Sequence, residues 1–131
     1  MKRIIFAVLM MVCSVSLAKW EVTGKTNTDT FYHDKSTLRK KGAIVKMWSM
    51  VDSIEEEINS SGKRFKSQKI FRAFNCSEET VAMISLIQLS GSMGQGDVVF
   101  SHTLKEGEWD WTPISPGSAD EAEWKIACGR R

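Results

Sequence analysis

Side chains able to do chemistry are few and scattered in this chain of 131 residues: two histidines, His33 and His102, and three cysteines, Cys13, Cys76 and Cys128. Neither histidine stands in an HExxH, CxxC…CxxC or nucleophile-elbow setting, so no motif for metal-assisted or covalent catalysis is present. His33 beside Asp34 fits local pairing in a loop, and His102, alternating with Phe100 and Leu104, fits a structural position facing a sheet. Gly91, Gly94 and Gly96 reverse the order of the dinucleotide fingerprint and lead into a strand, which suits a hairpin connection better than a phosphate cradle. Glu55-Glu56-Glu57, beside a turn, reads as a solvated loop. These residues predict a protein that is not an enzyme and holds no metal or cofactor.

Recognition chemistry has more to work with. Between Lys63 and Arg72 the sequence KRFKSQKIFR interleaves five cations with aromatic residues. Lys63, Arg64, Lys66, Lys69 and Arg72 are therefore candidate contacts for an acidic protein segment or a sulfated glycan, with arginine and aromatic side chains as anchors. Strand side chains alternate, so Lys63 and Lys69 project opposite to Arg64, Lys66 and Arg72 unless the strand twists or bulges. The competing reading is an edge strand whose cations deter edge-to-edge aggregation. Of the five tryptophans, Trp109 and Trp111 alternate with Asp110 in a turn-rich stretch, where one of them is expected to be exposed.

The elements that must position these groups form one domain, because 42% hydrophobic and 26% charged residues over this length are too apolar for disorder and too short for two cores. Residues 1–18 read as a signal peptide: Met1-Lys2-Arg3 is basic, residues 4–12 are apolar, and Ser16-Leu17-Ala18 offers a small-x-small cleavage site. The domain is then residues 19–131. An apolar run this short does not span a bilayer, which takes about 20 residues, so no transmembrane segment is expected. Val12 before Cys13 makes a poor lipidation signal.

Removing the leader takes away Lys2 and Arg3 and leaves equal numbers of basic and acidic residues. Neutrality and export argue against nucleic acid as the partner. It hides a separation: residues 35–72 carry ten basic and four acidic side chains, and residues 76–128 carry nine acidic and two basic, so the domain should be electrically two-sided.

Residues 43–51, 70–74, 80–89 and 98–104 are rich in β-branched and aromatic side chains and are the expected central strands, with shorter strands before them. Turn residues between them are few, which implies antiparallel hairpins. Ser118 with Glu121 is a capping box, and a helix is expected over residues 119–128, stopped by Gly129. Two cysteines survive processing, Cys76 ending a strand and Cys128 ending the helix, and a disulfide between them would staple helix to sheet. Near-continuous apolar strands imply two partly buried sheet faces, one under the helix and the other under a second subunit, which makes homodimerisation an expectation.

Taken in order, Trp20, Tyr32-His33-Asp34, Val45-Lys46-Met47-Trp48 with Asp52, Ser67-Gln68-Lys69 leading to Cys76, Gly96-Asp97-Val98-Val99, Trp109, Pro116-Gly117-Ser118 and Cys128 resemble the surface-adhesin protein E family of Gram-negative bacteria. The resemblance covers nearly all of the chain after the leader. It implies an α+β fold: a twisted antiparallel sheet of about six strands with a C-terminal helix fastened across one face by the disulfide. It also implies adhesion to host extracellular-matrix or serum proteins, at the periplasmic or outer-membrane surface of the envelope. The alternative is a periplasmic inhibitor, immunity or envelope-maintenance protein whose partner is another bacterial protein.

Overall fold

The computed structural model describes residues 18–131; the leader read over residues 1–18 lies outside them except for Ala18. Six strands follow one another as a meander: β1 (Glu21–Lys25), β2 (Asp29–Lys41), β3 (Ile44–Ile58), β4 (Arg64–Asn75), β5 (Thr80–Leu89) and β6 (Val98–Thr103). Each pairs antiparallel with the next, in the order β1-β2-β3-β4-β5-β6. A two-residue strand, β7 (Thr112–Pro113), rejoins β5 beyond the end of β6. The helix α1 (Ala119–Ala127) closes the chain.

The register sorts the side chains. Val45 of β3 lies opposite Phe74 of β4, and both join Met47, Val81, Trp124 and Ala127 in the core between sheet and helix. Side chains alternate along a strand, so Ile44, Lys46, Trp48 and Met50 project from the other face. Burying a phenylalanine and a tryptophan here removes a large apolar area from water, the main force seating the helix. Trp124 also donates its indole N–H to the carbonyl of Asn75 at 2.9 Å, so its one polar atom is satisfied inside the core.

Local chemistry sets the helix ends as the sequence predicts. Ser118 accepts a hydrogen bond from the Glu121 amide, Cys128 is the C-terminal cap, and Gly129 follows with a positive φ. The Cys76–Cys128 disulfide is present, with Cα atoms 5.6 Å apart, and closes a separation of 52 residues. Helix and sheet are thereby joined covalently at the end of β4.

The second sheet face has a cover built from the chain itself. The glycine-rich connection between β5 and β6 folds back over β3 and β4. Ser67 donates to the carbonyl of Gly91 and accepts from the amide of Gly94, and Asp52 accepts from the amide of Met93. Gly94 has φ +71° and sits so close to Lys69 and Met50 that an added Cβ would lie 2.4 Å from the Lys69 side chain. Close approach, not ligand binding, is what this glycine provides.

Four expectations need correction. The segment containing residues 63–72 is no edge strand, since β4 lies between β3 and β5. β6, expected to be central, is at the edge, and His102 on it is exposed and not turned into a core. The two readings share one period-two pattern, and only neighbour pairing separates them. His33 lies in β2, buried, rather than in a loop. Glu55, Glu56 and Glu57 form the exposed end of β3, where a long strand runs out past its neighbours' cover.

Candidate functional site

The cationic strip along β4 is taken apart by the fold. Arg72 turns to the helix side, where it pairs with Asp120 and lies 3.7 Å from Glu123. Glu123 is 2% exposed, accepts a hydrogen bond from the Ser49 hydroxyl at 2.6 Å, and has its pKa raised by burial against the opposing pull of Arg72 and Ser49. Arg72 thus neutralises a buried carboxylate and is not free to meet a partner. Lys69, on the opposite face, is half-buried beside Gly94. Lys66 is half-buried, and only Lys63 and Arg64 are fully exposed, Arg64 lying 3.4 Å from Glu56.

A different cationic site assembles near the start of β3, on the face away from Arg72. β2 is interrupted by a bulge between Asp34 and Arg39, where the register against β3 shifts. Asp34, 2% exposed, organises it by accepting from the amide and hydroxyl of Ser36 and, at 3.1 Å, from the amide of Lys19. Thr37 donates its hydroxyl to the carbonyl of Asp34 and accepts from the amide of Trp48, which replaces a ladder bond across the bulge. A bulge adds twist and re-aims the side chains beyond it, here Arg39, Lys40 and Lys41 at the hairpin into β3.

Those three cations and Lys46 line a groove of about 790 Å³. The connection between β6 and β7 brings Trp109 and Trp111 to the same groove; Ile44 also lines it, and Glu106 is the only acidic side chain in the lining. The tryptophan rings are 6.2 Å apart and inclined at 68°, and Trp109 donates its indole N–H to the carbonyl of Leu104. The Lys46 ammonium sits 5.1 Å from the centre of the Trp109 ring, a cation–π contact that fixes the ring against the sheet. Two residues further along β3, Trp48 stacks on Phe71 with ring centres 5.0 Å apart and continues the aromatic surface.

Among the described residues no carboxylate comes within salt-bridge distance of Arg39, Lys40, Lys41 or Lys46. The groove therefore presents uncompensated positive charge beside aromatic faces, an arrangement suited to anionic ligands that also carry apolar surface. No three His, Cys, Asp or Glu side chains among the described residues group as metal ligands. His33 lies apart from the groove, its Nδ1 2.7 Å from the Thr23 hydroxyl, and burial lowers its pKa.

Sequence reasoning missed this site. Arg39-Lys40-Lys41-Gly42 carries only a turn pattern, and Trp109 and Trp111 are more than sixty residues away from it. A run of three cations before a hairpin glycine was the available signal. That the β6–β7 connection folds back over the hairpin is a property of the tertiary structure alone.

Fold and groove together define a class: a small curled antiparallel sheet, clamped by a disulfide-tethered terminal helix, with an open basic–aromatic groove. The family model described as surface-adhesin protein E matches residues 20–129, and the chain belongs to that family. In structure it is similar to protein E from non-typeable Haemophilus influenzae, with a TM-score of 0.61 at 15% identity over 88% of this chain and 79% of that one. A second structure of H. influenzae protein E gives 0.57 at 15% identity over 76% of each chain, and its crystal form II gives 0.59 at 13% over 87% and 97%. At such identities the likeness is one of fold. No curated protein matches the chain in sequence. No helix among the described residues is long and apolar enough to cross a membrane.

Proposed function

We propose that this chain is an exported, non-enzymatic binding module with an adhesin-like role, which holds host extracellular-matrix or serum proteins through the groove between the β2–β3 hairpin and the β6–β7 connection. The observation that carries the reading is the set of four cations without a carboxylate partner that share a groove with Trp109 and Trp111. Membership of the adhesin family supports a role in protein binding. Lys63, Arg64 and Lys66 make a second, weaker cationic patch at the far end of the sheet, and Lys69 and Arg72, opposite Met50 and Met47, contribute to structure.

Export rests on the leader at residues 1–18. Cleavage after Ala18 makes the nitrogen of Lys19 an α-ammonium, and that nitrogen already lies 3.1 Å from the buried Asp34 carboxylate. Processing thus turns an amide–carboxylate hydrogen bond at the bulge into an ion pair.

The test uses mature protein, residues 19–131, on immobilised matrix and serum proteins. Changing Arg39, Lys40 and Lys41 together to Ala is expected to weaken binding at least tenfold, and changing Lys63, Arg64 and Lys66 to Ala to weaken it much less. Equal binding by the first variant overturns the assignment of the groove. Protease treatment of intact cells decides the compartment: cleavage fits a surface adhesin, and protection fits a periplasmic partner-binding protein instead.

A further inference from the structure

The groove's chemistry is more selective than positive charge alone. Three of its four cations are lysines, compact hydrated charges, of which Lys40 and Lys41 are free to accept an anion from any direction and Lys46 lies over Trp109. The fourth, Arg39, already commits one guanidinium nitrogen to the carbonyl of Leu38 at 2.7 Å and of Ser36 at 3.3 Å. The planar two-point grip that best recognises a carboxylate is thus partly used up inside the protein. What remains are ammonium groups suited to anions of no fixed orientation, such as sulfates.

The aromatic wall adds a second requirement. Trp111, set at 68° to Trp109, which Lys46 holds, offers ring surface that an acidic side chain cannot cover, because a carboxylate has no apolar face of its own. A sulfated sugar has both parts in one unit: C–H bonds along the face of the pyranose ring lie flat on an aromatic ring, and sulfates project from its edge. A groove lined by both aromatic rings and lysines matches that arrangement. It is open at the surface, as a long chain passing through it would need.

We infer that the groove formed by Arg39, Lys40, Lys41, Lys46, Trp109 and Trp111 binds a sulfated polysaccharide chain, of the kind that matrix proteins carry. This inference rests on the reading of the groove as the contact surface and specifies what it grips: the glycan of a matrix protein, not its polypeptide. Glu106 bounds the site on the loop side and disfavours extra negative charge there.

The experiment measures binding of a heparin-derived oligosaccharide to mature protein by calorimetry. The comparison probes are the same oligosaccharide with its sulfates removed and a polyglutamate peptide of equal charge. Three results are expected: removal of sulfates weakens binding more than tenfold, polyglutamate fails to compete, and rising salt weakens binding because bound counterions are released. Lys40→Ala with Lys41→Ala, and separately Trp111→Ala, should each weaken heparin binding about tenfold while the melting curve stays that of the parent. The lysine pair is exposed, so the first variant keeps the test valid if the tryptophan change disturbs the loop.

Competition by polyglutamate equal to that of heparin overturns the inference in favour of an acidic protein segment. Full binding by Trp111→Ala overturns it in favour of unspecific charge attraction. Its failure can be told from failure of the broader reading. If matrix proteins stripped of glycan still bind and the groove variants do not, the groove stands and the glycan falls. If the groove variants bind intact matrix proteins like the parent, the groove itself falls.

Discussion

Two cationic regions lie against β3, the β4 strip running from Arg64 opposite Ile58 to Arg72 opposite Met47 and the groove at the Ile44 end on the face away from Arg72, and they differ in what their acids do. At the β4 strip, acids meet cations: Arg72 is held by Asp120 and Glu123, and Arg64 faces Glu56. At the groove, the nearby buried acid, Asp34, bonds to backbone amides and a hydroxyl, shaping a bulge while Arg39, Lys40 and Lys41 stay unpaired. The same residue types thus hold a fold together in one place and await a ligand in the other. Density of charge along the sequence does not tell these apart; the partner of each charge does.

The largest expected effect comes from breaking the strip. Arg72→Ala leaves Glu123 buried with its cation gone, and removing one partner of a buried pair costs about 3–5 kcal/mol. Thermal unfolding should shift down by roughly 10 °C or more, while the groove of the folded fraction binds as before. An Arg72→Ala protein that melts like the parent but loses its partner would restore the strip as a docking surface. Of similar size is the clamp: replacing Cys76 and Cys128 with Ala should lower stability by about 4 kcal/mol on the chain-entropy account. An unchanged melting curve would reject the staple.

Next comes the groove, where the comparison predicts the opposite split. Arg39→Ala, Lys40→Ala and Lys41→Ala together should cost binding at least tenfold, about 1.4 kcal/mol, and change stability by no more than about 0.5 kcal/mol. Asp34→Ala should affect both, because the bulge that aims the three cations loses its organiser. A groove variant that unfolds would mean that these cations, too, are structural.

The division explains how much was legible in sequence. The helix and its ends carried local signals, Ser118 at the start and Gly129 after it, and the disulfide followed from the cysteine count. The strands were legible as strands, but the edge position of β6 was not, because periodicity reports a strand and not its neighbours. The strip was misjudged for a related reason: Asp120, which occupies Arg72, lies 48 residues away in the chain. The groove was hidden because half of it is the β6–β7 connection, whose return over the β2–β3 hairpin has no local signature.

A pH series sharpens the contrast without removing any cation. The pKa of Glu123 is raised above its ordinary value of 4.5, chiefly by burial. Its contribution to stability is therefore complete below that value and lost as pH rises through the folded-state pKa. His33 runs the other way: its pKa is lowered from 6.5 by burial, so its contribution is present above 6.5 and lost as pH falls. Glu123→Gln keeps an acceptor for Ser49 and removes the charge. Its melting temperature should gain on the parent's as pH rises from about 5 to 8, as measured by calorimetry. Parallel curves would show that Glu123 titrates alike in the folded and unfolded chain, with Arg72 and Ser49 offsetting its burial in full.

The smallest effect is expected at the exposed end of the strip. Arg64 and Glu56 are both open to solvent at 3.4 Å, and such pairs contribute about 0–1 kcal/mol. Lys63→Ala with Arg64→Ala should leave the melting curve nearly unchanged at moderate salt and lower affinity for an anionic partner only slightly, through long-range attraction. That residual loss should vanish at high salt, where charges more than a few ångströms apart are screened. Loss of affinity that persists at high salt would mean direct contact at Lys63 or Arg64, and the two ends of β3 would then both belong to the binding surface.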